Sequence, residues 1–180
     1  MKKITTVFVA LALFSLINLP AKAGGVYEGP DRGKSLLGVR LGVEFGALDI
    51  NAAYDYALAR VWKGSFTIGG QVGFGFNLWG GYGYYYGGLG GYTMPVMART
   101  TYRFCVVTPK WEVYAGVALG ARVLIYGGSG YGYGSGATAT FAGGVIVGTN
   151  YYFTDKFGLN LEFNGGYGVS YLNFGVQFKF

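Results

Sequence analysis

Eight charged residues of this 180-residue chain fall at positions where an alternating pattern puts them on one face: Arg40, Glu44, Arg99, Arg103, Glu112, Arg122, Glu162 and Lys179. If that face is enclosed, charges held away from water must be paired. Arg103 and Glu112 are spaced for such a pair, nearly opposite each other across a turn centred on Thr108. Two kinds of chemistry follow. One is a structural ion-pair core. The other is a narrow, slightly anion-preferring pathway, since five cations stand against three anions and interspersed glycines leave room for water. Nucleophilic catalysis finds no support, because the chain has no His to act as base. Its serines at 35, 65, 129, 135 and 170 fall at turns or strand ends. Metal ligands are equally sparse, with one Cys and isolated carboxylates, and the glycine runs lack the Lys-Ser/Thr of a phosphate loop, so no cofactor is expected. Cys105 reads as a small inward filler and cannot form an intramolecular disulfide.

The elements that must hold these residues are strands. From Leu172 to Phe180 every second side chain is apolar (Leu172, Phe174, Val176, Phe178, Phe180), while Asn173, Gly175, Gln177 and Lys179 lie between them. Strand side chains point alternately to opposite faces, so this segment has one oily and one wet side. The same alternation predicts strands over Leu36–Phe45, Ala53–Trp62, Phe66–Phe76, Met94–Phe104, Trp111–Arg122, Phe141–Tyr151 and Phe157–Asn164. The second is the least regular, and Asp55 and Arg60 cannot both face inward because their numbers differ in parity. Short links (63–65, 107–110, 154–156) alternate with longer Gly- and Tyr-rich ones at about 80–92 and 127–136. Short turns at one end and long loops at the other are expected of an up-and-down antiparallel barrel with an even strand count.

Composition narrows the setting. Lys2 and Lys3 precede an apolar run (Val7–Phe14), then Pro20 and the small-x-small tripeptide Ala21-Lys22-Ala23. This is the layout of a cleaved secretory signal, too short to span a bilayer as a helix. Residues 1–23 are thus expected to be removed, 24–34 to form a short periplasmic segment, and 35–180 to form the barrel. Loss of Lys2, Lys3 and Lys22 lowers the formal charge from +6 to +3, and the remaining basic residues are scattered along the chain, which argues against nucleic acid. Aromatic residues at 19% with only 12% charged residues make a poor soluble surface. An exported chain this oily, without apolar helical runs, has one way to satisfy its backbone in hydrocarbon, a closed barrel.

The leader, the strand count, the loop alternation and the terminal pattern Asn173-x-Gly175-x-x-Phe178-x-Phe180 together resemble the small eight-stranded outer-membrane barrels, the OmpA membrane domain and OmpX families. The resemblance is architectural and covers the whole mature chain; no motif selects a subfamily. It implies an all-β, eight-stranded transmembrane barrel in the outer membrane of a diderm bacterium; with no His and no evident triad, a non-catalytic monomer is expected. It also implies contact with outer-membrane lipid and lipopolysaccharide, and recognition of Asn173, Gly175, Phe178 and Phe180 by the barrel assembly machinery. A soluble lipocalin-like barrel would alternate too, but its outer face could not be clothed by glycines and so few charges. A barrel of this size is filled by its own side chains. Two roles stay open beside a structural one: a narrow channel, and adhesion through the Gly/Tyr loops Gly80–Gly88 and Gly128–Gly134, whose composition suits contact surfaces as well as an aromatic belt.

Overall fold

The computed structural model describes residues 29–44, 47–77, 91–126 and 136–180. The expected leader and the Gly/Tyr loops Gly80–Gly88 and Gly128–Gly134 lie outside the described residues. Eight antiparallel strands form one closed barrel: β1 (Ser35–Glu44), β2 (Ala47–Val61), β3 (Gly64–Asn77), β4 (Gly91–Cys105), β5 (Trp111–Tyr126), β6 (Gly136–Tyr152), β7 (Phe157–Tyr167) and β8 (Leu172–Lys179). Each strand pairs with its sequence neighbours, and β8 closes on β1 with Val176 opposite Val39 and Phe174 opposite Leu41.

The alternation has the polarity the sequence suggests. Side chains such as Leu41, Ile50, Ile68, Val96, Leu119, Phe141, Phe163 and Phe174 point outward and are exposed. Asn, Gln, Thr, Arg and Glu fill the inside. An apolar outside and a polar inside invert the arrangement of a water-soluble barrel. Strand β2 begins six residues before its expected start. Its first turns carry Asp49 and Asn51, which resemble turn residues in sequence but here point inward, between outward Leu48 and Ile50. Its register with β3 slips between Ala57 and Ala59, a bulge that accounts for the irregular pattern there.

The connections at the two ends differ. At what we call the turn end, β2 and β3 join through Trp62 and Lys63, with Trp62 in the left-handed region (φ 62°) as a two-residue hairpin turn requires. Between β4 and β5, Val107 has φ 63° inside a tight turn in which the Thr108 amide donates to the Val106 carbonyl at 2.6 Å. Residues 29–31 close over this end. The Gly29 amide donates to the Lys63 carbonyl (3.0 Å), the buried Ser65 hydroxyl donates to the Pro30 carbonyl, and Arg60 holds Asp31 at 3.0 Å. At the opposite, loop end, Gly168 (φ 68°) lets the β7–β8 connection turn inward, burying Val169 in the barrel.

Candidate functional site

The interior is built in three layers, and the deepest is a circuit of charges in the turn-end half. Glu162 on β7 accepts from Arg40 (2.8 Å), Arg99 (2.8 Å) and the Tyr114 hydroxyl (2.8 Å) with one carboxylate oxygen. Arg99 continues to Asp55 at 3.1 Å and donates to Gln71 at 3.0 Å. Asp55 meets Arg103 at 2.5 Å, and Arg103 reaches Glu112 at 2.9 Å while its guanidinium lies 4.3 Å from the Tyr114 ring centre. From Glu112 the path returns through amides. Asn150 donates to Glu112 (2.6 Å), Asn160 donates to Asn150 (2.6 Å) and also to the Tyr114 hydroxyl (2.7 Å). The loop closes on Glu162. Three guanidinium groups (Arg40, Arg99, Arg103) balance three carboxylates (Asp55, Glu112, Glu162), so the buried cluster is neutral as a whole. Arginine suits this place because its planar fork offers several fixed donors and keeps its charge when buried.

Above the circuit sits an apolar layer of Met97, Ala118, Ala142, Ile146 and Val169 resting on the Tyr114 ring. The crevice between Gln71, Met97, Ala118, Ile146, Asn164 and Val169 leaves no room for a water molecule. The third layer, at the loop end, pairs Arg122 with Glu44 through two bonds of 2.6 and 2.7 Å. Beside it, Asn51 donates to Asp49 (2.8 Å) and to Asn173 (2.7 Å). Glycine makes this packing possible at named points. A side chain at Gly148 would enter the Tyr114 ring, and one at Gly175 would collide with the Val39 backbone across the closing seam.

Among solved structures, the chain is similar to the N-terminal β-barrel domain of Pseudomonas aeruginosa OprF, with a TM-score of 0.55 and 14% identity over 83% of this chain and 98% of that one. It is similar to a de novo designed transmembrane β-barrel (TM-score 0.51, 15% identity, 84% and 98% covered) and to Neisserial surface protein A (0.50, 15%, 82% and 94%). The fold is that of a small outer-membrane β-barrel. No family model and no curated protein sequence matches the chain.

The barrel brings together five of the eight charged residues singled out in the sequence: Arg40, Arg99, Arg103, Glu112 and Glu162. Glu44 and Arg122 form their own pair at the loop end. Lys179 joins neither group; its ammonium lies 3.9 Å from the centre of the Tyr152 ring at the turn end. The register also differs from expectation. Arg103 stands opposite Tyr114, and Glu112 opposite Cys105, so the Arg103–Glu112 bond is diagonal. The excess of inward cations does not hold. Asp49 and Asp55 also face inside, giving five carboxylates against four arginines and Lys179, which removes the basis for an anion preference. Asp55, Tyr114, Asn150 and Asn160 were not singled out by the sequence. Parity within β2 marks Asp55 once the strand is extended to Ala47.

The terminal motif has structural roles of its own. Asn173 is buried against Asn51, Phe178 packs on Phe157 at 5.4 Å between ring centres, and Phe180 exchanges backbone hydrogen bonds with Ser35. Two of the serines have hydroxyl partners other than a base: Ser35 bonds the Tyr54 hydroxyl (2.8 Å) and Ser65 donates to the Pro30 carbonyl. Among the described residues no three His, Cys, Asp or Glu converge as a metal cluster would require.

Proposed function

We propose that this chain is an outer-membrane barrel with a sealed interior, exported behind a cleaved leader, and that it acts through its surface rather than through a pore or a catalytic centre. The observation that carries this reading is the stacking of the three interior layers, a neutral charge circuit, a dry apolar layer and the Arg122–Glu44 pair. Moving an ion past them requires breaking buried pairs whose separation costs several kcal/mol each, about 3–5 in comparable proteins. The exposed apolar outer face supports membrane embedding, since strands in hydrocarbon must satisfy their backbone in a closed ladder. In this reading the turn end faces the periplasm with residues 24–34, and the two long Gly/Tyr connections face outward.

The partners that follow are membrane lipid and lipopolysaccharide around the barrel and, by resemblance, the assembly machinery at Asn173, Gly175, Phe178 and Phe180. The reading includes a monomer, no cofactor and no reaction. With the interior closed, the surface-exposed segments are left to make contact, and their tyrosines offer large area at low entropic cost beside adaptable glycine. The test is deletion of both Gly80–Gly88 and Gly128–Gly134 from a barrel that still shows heat-modifiable migration. Binding of expressing cells to immobilised host matrix is expected to fall to the level of cells lacking the protein. Unchanged binding would remove the surface-contact role.

A further inference from the structure

Every lysine beyond the leader lies at the turn end. Lys34 precedes β1, Lys63 is in the β2–β3 turn, Lys110 in the β4–β5 turn, Lys156 in the β6–β7 turn, and Lys179 ends β8. They are scattered in sequence, and only barrel closure gathers them. Arginine is distributed differently, with Arg40, Arg99, Arg103 and Arg122 inside. The loop end has no counterpart. Residues 78–90 and 127–135 contain no Lys or Arg, and Arg122 is occupied by both oxygens of Glu44.

Four of these lysines, Lys34, Lys110, Lys156 and Lys179, line one concavity of about 620 Å³ against a single acidic side chain, Asp155. No ion pair among the described residues engages any of the four. Lys179 is held over the Tyr152 ring, which fixes the ammonium without neutralising it. The wall of this vestibule includes Tyr151, and Tyr151 is also a wall of a second, apolar groove of about 310 Å³ on the outer face. That groove runs between Trp111, Leu159, Leu161 and Phe174. A cationic basin at the rim and an apolar furrow on the lipid face thus meet at one residue.

We propose that this pair of cavities is a binding site for one anionic phospholipid of the periplasmic leaflet, with its phosphate among Lys34, Lys110, Lys156 and Lys179 and one acyl chain in the Trp111–Leu161–Phe174 groove. Ammonium groups bind phosphate as point charges, so several converging lysines suit a headgroup free to rotate. Phosphatidylglycerol fits this basin. The amine of a zwitterionic phosphatidylethanolamine would add another cation to a basin where four lysines face one acidic side chain. The apolar furrow favours an acylated ligand over a soluble anion, because the chain gains burial that free phosphate lacks. The site rests on the membrane orientation proposed above. Its failure can be told from failure of that orientation, since the micelle titration reads lipid selectivity whichever end of the barrel faces the periplasm.

The experiment uses full-length folded protein, delipidated in nonionic micelles and titrated with phosphatidylglycerol or phosphatidylethanolamine, with bound lipid counted by native mass spectrometry. Phosphatidylglycerol is expected to bind at least about tenfold more tightly. Each vestibule lysine replaced is expected to weaken it about fivefold, so Lys110→Gln/Lys156→Gln should bring it near the level of phosphatidylethanolamine. Lys63→Gln, at the same rim but outside the vestibule, should leave binding unchanged. Leu161→Trp, which fills the groove, should weaken phosphatidylglycerol while leaving any binding of glycerol 3-phosphate as it was. Folding of each variant is checked by heat-modifiable migration. Equal affinity for the two lipids would overturn the proposal, as would an equal loss in Lys63→Gln. Competition by glycerol 3-phosphate as strong as that by phosphatidylglycerol would assign the basin to a soluble anion instead.

Discussion

Replacing Glu162 by glutamine tests the interior circuit at its most connected point. Glutamine keeps the shape and an acceptor oxygen, so the change removes charge and little else. Arg99 retains Asp55 at 3.1 Å, but among the described residues Glu162 is the carboxylate paired with Arg40. The variant therefore leaves a fully buried guanidinium without a counter-charge. Breaking one side of a buried pair costs about 3–5 kcal/mol, a large share of the roughly 5–15 kcal/mol that holds a typical domain together. Reversible urea unfolding in lipid vesicles, followed by tryptophan fluorescence, should show the unfolding free energy fall by that amount, seen as a lower midpoint at an unchanged slope. Glu162→Gln/Arg40→Met removes the stranded charge together with its partner and should recover most of the loss, since apolar replacement of a whole buried pair is often neutral or better. A loss under about 1 kcal/mol in the single variant, or a double variant no more stable than Glu162→Gln, would refute the claim that the circuit is held by charge balance.

Two further outcomes follow from backbone geometry. Gly148→Ala places a methyl group in the Tyr114 ring and should cost about 1–3 kcal/mol by displacing that tyrosine from Glu162 and Asn160, whereas Gly70→Ala, whose methyl group would meet only the Met97 carbonyl oxygen at an ordinary 3.6 Å, should be neutral or slightly stabilising in the same unfolding assay. Val107→Gly should stabilise by roughly 1 kcal/mol, because a β-branched residue at φ 63° is strained and glycine is not; a destabilised variant would mean that the exposed Val107 side chain contributes more at the membrane rim than the strain it imposes.

The sequence carries the outside of the barrel more openly than the inside. Outward residues such as Val39, Ile68, Val96 and Phe174 repeat at every second position because lipid demands apolarity and little else, and that demand is readable one strand at a time. The inside obeys contacts between strands far apart in sequence. Asp55 is unremarkable until closure brings β2 within reach of Arg99 and Arg103 on β4. Tyr114 and Tyr152 share the inward parity of Glu112 and Asn150, but nothing along the chain says what they meet inside: one is a hydroxyl donor to Glu162 and the other lies under Lys179. The start of β2 was hidden for a related reason: Asp49 and Asn51 signal a turn in water but are ordinary filling for a polar interior. The gathering of Lys34, Lys110, Lys156 and Lys179 is likewise invisible along the chain, because each belongs to a different segment at the same end.

The sealed interior is the claim on which the rest depends, and planar-bilayer recording of the refolded, heat-modifiable protein at molar salt tests it most directly. The layered packing predicts traces indistinguishable from protein-free lipid, with Glu162→Gln, by loosening the circuit, more prone to transient steps than the unmodified chain. Reproducible unitary conductance from the unmodified barrel would contradict the account and return the interior to the role of a pathway.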